Sequence, residues 1–326
     1  MTTEIQGAIR NMVPARDSLP PGAVLDNYRI SSTIGKGGFG LIYRAVDEES
    51  GDEVLIKEYM PKKLTRRISA FRLAPVDEKY AERVIRGRKL FFQEAGALAS
   101  LHHPHIVKVL GLFLANDTAY MVMQYEPGKN LGHYVHERKG GLSTRFILQV
   151  FLPILDALSL MHSRSILHLD VKPGNIHLRH GNNPLLLDFG AVQLLGRERK
   201  PGAHVITAGY SPVEQYHRSG RIGPWTDVYA VGASLRACIE GKTPPSAVER
   251  HKGEILEPAK QRFRDRYPLF LLEAVDWAME MHPKRRPQHA AELLHALEQF
   301  AGELPGSRDL ESQSLEISRA DGLQDP

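Results

Sequence analysis

One cysteine, Cys238, in 326 residues leaves no means of forming an intrachain disulfide, and it fits a reducing compartment. An excess of one charge is also missing. The 42 Lys+Arg stand against 38 Asp+Glu, a formal net charge of +4, so charge does not call for a nucleic-acid or membrane surface as partner. No stretch approaches the roughly 18 apolar residues of a membrane span. Residues 1–24 carry Glu4, Arg10, Arg16 and Asp17 where a leader would need an apolar run. Repeats and low-complexity blocks are absent between residues 27 and 302. These absences leave a cytoplasmic globular protein, with no membrane span and no nucleic-acid partner expected, and 42% hydrophobic residues are enough for a sizeable core.

Residues 1–26, with Pro14, Pro20 and Pro21 among polar residues, and residues 303–326, rich in Ser, Glu, Asp and Gly, are expected to be flexible ends. Between them the period changes once. Over 27–124 the short β-branched or apolar runs Tyr28 to Ile34, Leu41 to Val46, Glu53 to Glu58, Ile106 to Ala115 and Ala119 to Gln124 predict strands. Turn residues such as Gly51-Asp52 and Asn116-Asp117 separate them, as antiparallel hairpins require. A helix from about Lys79 to Leu101 interrupts this set, with Phe91, Ala95, Leu98 and Leu101 on one stripe and Glu94 beside it. Over 129–302 the period is helical. Ser143 is the predicted N-cap of a helix that Pro153 should kink, Thr226 of a helix apolar nearly all round, and a further helix should run from Leu269 to Met281. Strands first and helices second predict an α+β fold, with a small antiparallel-sheet part holding one helix and a larger, mainly helical part.

Three segments carry chemistry. Ile34 leads into Gly35-Lys36-Gly37-Gly38-Phe39-Gly40, a glycine-rich turn between two strands, where missing side chains let backbone N–H groups approach phosphate oxygens. Alone it reads equally well as a flexible hairpin. Lys57 ends the apolar run Val54-Leu55-Ile56, where an ammonium needs a carboxylate or phosphate, and Glu94 is the candidate partner. His168-Leu169-Asp170-Val171-Lys172-Pro173-Gly174-Asn175 and Asp188-Phe189-Gly190 together supply a base, a phosphate counter-charge and oxygen ligands for Mg²⁺.

In that order and spacing, these segments resemble the protein kinase signature set over about residues 28–302. The resemblance implies a bilobal kinase fold. It places Gly35, Gly37 and Gly40 over the ATP phosphates, Ile42 against adenine, and Lys57, held by Glu94, on the α and β phosphates. Met123 becomes the gatekeeper and Gln124, Tyr125 and Glu126 the adenine-binding hinge. Asp170 would orient the attacking hydroxyl, Lys172 neutralise the transferring group, and Asn175 with Asp188 hold Mg²⁺. The segment Thr207-Ala208-Gly209-Tyr210-Ser211-Pro212-Val213-Glu214 resembles a substrate-docking segment, in which Thr207 should bond Asp170 and Lys172. Arg286 and Asp227 match a family ion-pair partner of Glu214 and a brace on the catalytic loop. Lys172 with Thr207 points to a serine/threonine kinase acting on protein substrates in signalling, and the wording of 57–61 and 210–216 is similar to bacterial eukaryotic-like kinases. A cognate phosphatase or a phosphothreonine-binding module is a further implied partner. Two alternatives remain: a small-molecule phosphotransferase of kinase-like fold, which should lack the docking segment, and a pseudokinase scaffold, which should lack Lys57, Asp170, Asn175 or Asp188.

Two features depart from the family pattern. Leu169 stands where an arginine usually receives an activation-loop phosphate, making this a non-RD sequence, and positions 191–206 hold no Ser, Thr or Tyr. Activity without loop phosphorylation is the expectation. In addition, 37 positions separate Lys57 from Glu94, and residues 60–90 hold ten bases against Asp77, Glu78 and Glu82, which reads as a solvated loop and helix face. His102-His103-Pro104-His105 has no neighbouring acid or cysteine to make it a metal site. Cys238 and the methionines read as packing residues. Ser307, Ser312, Ser314 and Ser318 are candidate autophosphorylation sites.

Overall fold

The computed structural model describes residues 17–38, 40–187, 191–195, 206–217 and 220–301. Two compact units emerge: residues up to His102 with Val107–Glu126, and His103–Ile106 with the residues from Pro127 on.

The first unit contains β1 (Val24–Leu25), β2 (Tyr28–Lys36), β3 (Gly40–Asp47), β4 (Glu53–Tyr59), β5 (Thr65–Arg67), β6 (Leu73–Pro75), α1 (Ala81–Ala99), β7 (Val109–Ala115) and β8 (Thr118–Gln124). Six of the strands form one antiparallel sheet in the order β1-β2-β3-β4-β8-β7. Asn116 and Asp117 both take positive φ, the backbone of a two-residue hairpin turn whose twist suits its strands. Side chains alternate between faces, so register decides what each face carries. Ile42, Lys57, Met121 and Leu112 lie opposite one another in one row. The next row, Leu41, Glu58, Tyr120 and Phe113, belongs to the other face. Leu112 approaches Gly96 of α1, so α1 covers the Lys57 face.

The opposite face holds the core of this unit. Ile30, Leu41, Tyr43, Ala45, Val54, Ile56, Tyr120 and Val122 are covered there by Leu19, Ala23 and Leu25 and by Leu73 of the β5–β6 hairpin. Residues 17–26 are therefore built into the unit, unlike the flexible segment expected over 1–26. Part of the 60–90 stretch is likewise interior and not solvated: Thr65, Arg67 and Leu73 are buried. The helix is shorter than predicted because Asp77 caps a single 3₁₀ turn, Glu78–Tyr80, ahead of it. Strand β7 starts at Val109, not Ile106. Residues 103–106 instead bond within the second unit, where Leu186 N–H donates to His105 O at 2.8 Å and Ile106 bridges Leu186.

The second unit contains β9 (Lys129–Asn130), α2 (Leu131–Arg138), α3 (Thr144–Ser163), β10 (Ile166–Leu167), β11 (Ile176–Leu178), β12 (Pro184–Leu186), β13 (Gln193–Leu194), α4 (Val213–Tyr216), α5 (Pro224–Glu240), α6 (Ala247–His251), α7 (Ala259–Arg262), α8 (Leu269–Ala278) and α9 (Ala290–Ala301). Ser143 caps α3 by accepting Phe146 N–H at 3.2 Å. The helix continues on both sides of Pro153. Among the described residues α3 is the one helix long and apolar enough to cross a membrane. Its Ile147, Leu148, Val150, Phe151, Ile154 and Leu155 are all buried, as in a helix enclosed by protein. Thr226 is not the N-cap of α5. The helix starts at Pro224, and Thr226 reaches back to accept Gly223 N–H at 3.2 Å. Helix α8 stops at Ala278, ahead of Pro283, which opens a 3₁₀ turn.

Candidate active site

In the first unit the glycine turn is closed by Gly37 N–H donating to Gly40 O at 2.9 Å, and Gly38 O accepts Lys62 N–H at 3.3 Å. A side chain at Gly40 would overlap the Glu58 carbonyl oxygen, so only glycine fits there. Gly38 has open space around it, and a side chain at Gly37 would meet Gly40 O at ordinary contact distance. Ile34 is exposed, Gly35 half-buried and Lys36 exposed; Phe39 lies outside the described residues.

Lys57 and Glu94 are both buried in this unit, Lys57 from β4 and Glu94 from the inner face of α1 with Ala95 and Leu98. Half-buried Ile42 neighbours Lys57 across the sheet. Met123 is buried at the end of β8 opposite Leu55. After it, Gln124 Nε2 donates to Glu126 Oε1 at 3.0 Å, and the Arg44 guanidinium sits 4.7 Å from the Tyr125 ring centre.

In the second unit a tight cluster forms around Asp170. Lys172 Nζ donates to Oδ1 at 3.0 Å and Oδ2 at 2.8 Å, Asn175 Nδ2 to Oδ2 at 2.9 Å, and the Thr207 hydroxyl to Oδ1 at 2.7 Å. Lys172 also reaches Thr207 Oγ1 at 3.1 Å. Thus the expected Thr207 contacts are present and the carboxylate is surrounded by charged or polar donors. Asn175 spends its amide hydrogens on Asp170, the second on the backbone oxygen at 2.8 Å, which leaves Oδ1 as its atom suited to a divalent cation. Asp188 lies outside the described residues. Among the described residues no three His, Cys, Asp or Glu gather as a ready-made metal site.

The loop bearing Asp170 is held from beneath. Wholly buried Asp227 accepts His168 N–H at 2.9 Å and Leu169 N–H at 2.7 Å, and its Oδ2 lies 3.0 Å from His162 Nε2. A carboxylate only accepts, so Nε2 carries that proton. Burial alone pushes the Asp227 carboxyl up, but His162 and His168 outweigh it and hold the group below its ordinary range. Between the two amides, Leu169 takes a φ of 62°, a left-handed backbone unusual outside glycine. Its carbonyl oxygen accepts Gln215 Nε2 at 2.7 Å. His168 Nδ1 accepts Asp170 N–H at 3.2 Å, so its Nε2 is the donor to Leu187 O at 3.1 Å.

Glu214 and Arg286 form the expected buried ion pair, at 2.7 and 3.2 Å, and Thr226 Oγ1 adds a bond to Glu214 Oε1 at 3.2 Å. Sequence reasoning missed Gln215 and His162: glutamine next to the docking-segment glutamate carries no local sign of its partner 46 positions away. It also missed an acid for His103, because Asp156 comes from α3, with Oδ2 3.0 Å from His103 Nε2. Cys238 is buried and its thiol is pushed up by that burial, away from reactivity.

Residues 28–297 match the family model described as Protein kinase domain. Serine/threonine-protein kinase PknA of a Nostoc species is 31% identical over 288 residues, which covers 84% of this chain and 48% of the relative. Serine/threonine-protein kinase C of a Synechocystis species is also 31% identical, over 295 residues, covering 85% and 51%. A solved structure described as the apo form of PpkA-294 aligns with a TM-score of 0.76 at 33% identity, over 86% of this chain and 100% of its own. The chain spans about half the length of the two curated relatives.

Proposed function

Since the chain belongs to the protein kinase family, we propose that it transfers the γ-phosphoryl group of ATP to Ser or Thr hydroxyls of protein substrates, as a bacterial eukaryotic-like signalling kinase. The observation that carries this reading is the clasp on Asp170, where Lys172, Asn175 and Thr207 converge on one carboxylate. ATP with Mg²⁺ supplies the electrophilic phosphorus. Asp170 Oδ1, which here accepts the Thr207 hydroxyl at 2.7 Å, accepts a substrate hydroxyl in the same manner and aligns its oxygen. As the O–P bond forms and the bond from the γ-phosphorus to the β–γ bridging oxygen breaks, the hydroxyl proton passes to Asp170 and ADP leaves. Lys172 offsets the negative charge on the transferred group. Asn175 Oδ1 and Asp188 are the metal ligands of this reading. In the first unit, the N–H groups of residues 35–40 and Lys57, steadied by Glu94, take the phosphates, and Ile42, Met123 and residues 124–126 take the adenine.

Leu169 makes this a kinase that works without a loop phosphate. Leucine cannot receive a phosphate, and the Asp227 and Gln215 bonds already hold it on both sides. Activity should survive phosphatase treatment. A large loss traced to the activation segment would refute that part. The intact docking segment favours protein over small-molecule acceptors; a phosphatase or a phosphothreonine-binding module acts on the same product. A cytoplasmic setting completes this reading, with which the single buried thiol of Cys238 is compatible.

Asp170→Ala is the decisive variant. It should abolish transfer of labelled γ-phosphate to protein while nucleotide affinity stays within about twofold. Persistent transfer would refute the assignment. Transfer by the parent chain to small hydroxyl compounds, with none to protein, would favour the small-molecule alternative.

A further inference from the structure

We propose that Arg67, from the hairpin between Lys57 and Glu94, is a positioning residue for Lys57, acting through Glu58. This rests on the reading of Lys57 as a phosphate contact. Glu58 follows Lys57 on β4 and points to the opposite face. Its carboxylate is wholly buried: Oε2 takes Arg67 Nη2 and the Tyr43 hydroxyl, each at 2.6 Å, and Oε1 takes the Tyr120 hydroxyl at 3.0 Å. Tyr43 and Tyr120 come from the strands on either side of β4, so Glu58 pins all three strands beside the row that carries Lys57. Loosening that point would let β4 shift against its neighbours, and the direction of Lys57 would change with it.

Arg67 supplies the charge that makes the peg tenable, and it ties in two further segments. Its Nη1 donates to Phe71 O at 2.6 Å, closing the hairpin's own turn, and its Nε donates to Asp17 O at 3.3 Å. The Arg67 and Glu58 side chains are 1% and 0% exposed. A pair so deep is costly to desolvate and weak as a source of stability, so its use lies in specifying one arrangement. The same insertion holds the glycine turn, through Lys62 N–H on Gly38 O at 3.3 Å. Both phosphate-facing elements of the first unit are therefore tied to residues 60–76, which explains a stretch that composition alone made look like a solvated loop.

The test uses the full chain and three variants, with KM for ATP, kcat, affinity for a fluorescent ATP analogue and melting temperature measured together. Arg67→Met should raise KM for ATP and weaken analogue binding about tenfold. Because it strands a buried carboxylate, Arg67→Met combined with Glu58→Met is the deciding variant. It removes both charges and the bonds that pin the strands while filling the space, so it should regain most of the melting temperature while nucleotide affinity stays several-fold weak. Arg67→Lys, which keeps the charge but loses the fork, should fall between. If the double variant binds nucleotide as the parent does, the proposal is overturned. Absence of nucleotide binding and transfer in the parent chain would instead overturn the kinase reading, and this proposal with it.

Discussion

Glu58 and Asp227 are both wholly buried, and each accepts three hydrogen bonds, yet their donors differ in kind. Glu58 is met by two tyrosine hydroxyls and an arginine, side chains drawn from three places in the chain. Asp227 is met by two consecutive backbone amides and a histidine. Side-chain donors specify which segments meet; backbone donors specify the conformation of one segment. The first unit, a sheet whose faces depend on register, needs the former. The second, whose loop includes a left-handed leucine, needs the latter.

The largest effect that would break this comparison belongs to the backbone brace. Asp227→Ala strands two buried N–H groups and should cost about 3–5 kcal/mol, with kcat down roughly 100-fold or more. Denaturant titration and initial rates check it, and a variant that keeps its rate would show that the loop stands unaided. Arg286→Met, which leaves Glu214 buried and unpaired, should cost a similar 3–5 kcal/mol by the same titration. Next comes Gln215→Met, expected to lower kcat about fivefold to tenfold with KM for ATP unchanged. The loss should shrink when Leu169→Gly is added, because glycine takes a positive φ without strain.

Acidification separates two buried groups of the second unit. Burial holds the His105 imidazole below its ordinary value of 6.5, with neighbouring His103 and Arg179 adding to the effect. The folded form therefore binds its proton less readily than the unfolded one. The stabilisation is complete above pH 6.5 and is lost as pH falls through the lowered folded value. Asp227, depressed below 3.8, gives up its share only in stronger acid. Thermal scans between pH 7 and 5 should show a decline that His105→Gln flattens. The smallest effect is Arg72→Ala. It removes the exposed ion pair with Asp117 from the hairpin that carries Arg67, and should change stability by at most about 1 kcal/mol.

Much of the site could be read from residue order. The glycine turn lies between two strands, Thr207 bonds Asp170 and Lys172, and Glu214 pairs with Arg286, contacts that motif spacing made legible. Where reading failed, the cause was distance in the chain. The 60–90 bases looked solvated because nothing near Arg67 announces Glu58 or the tyrosines beside it. Ile106 looked like a strand start because its apolar neighbours hide that residues 103–106 bond to β12. Thr226 is the local exception: Pro224, two positions earlier, is the first helical residue, so Thr226 falls inside the first turn.

Sequence by itself determined the order of strands and helices and the chemical inventory of the candidate site, since periodicity and motif spacing are local properties of the chain. Tertiary structure alone decided which charges are interior and what meets them: Arg67 on Glu58, His162 and two amides on Asp227, Gln215 on Leu169. A buried charge or carbonyl requires a partner that an exposed one can take from water. Burial is set by everything packed around a residue, and its partner can come from any part of the chain.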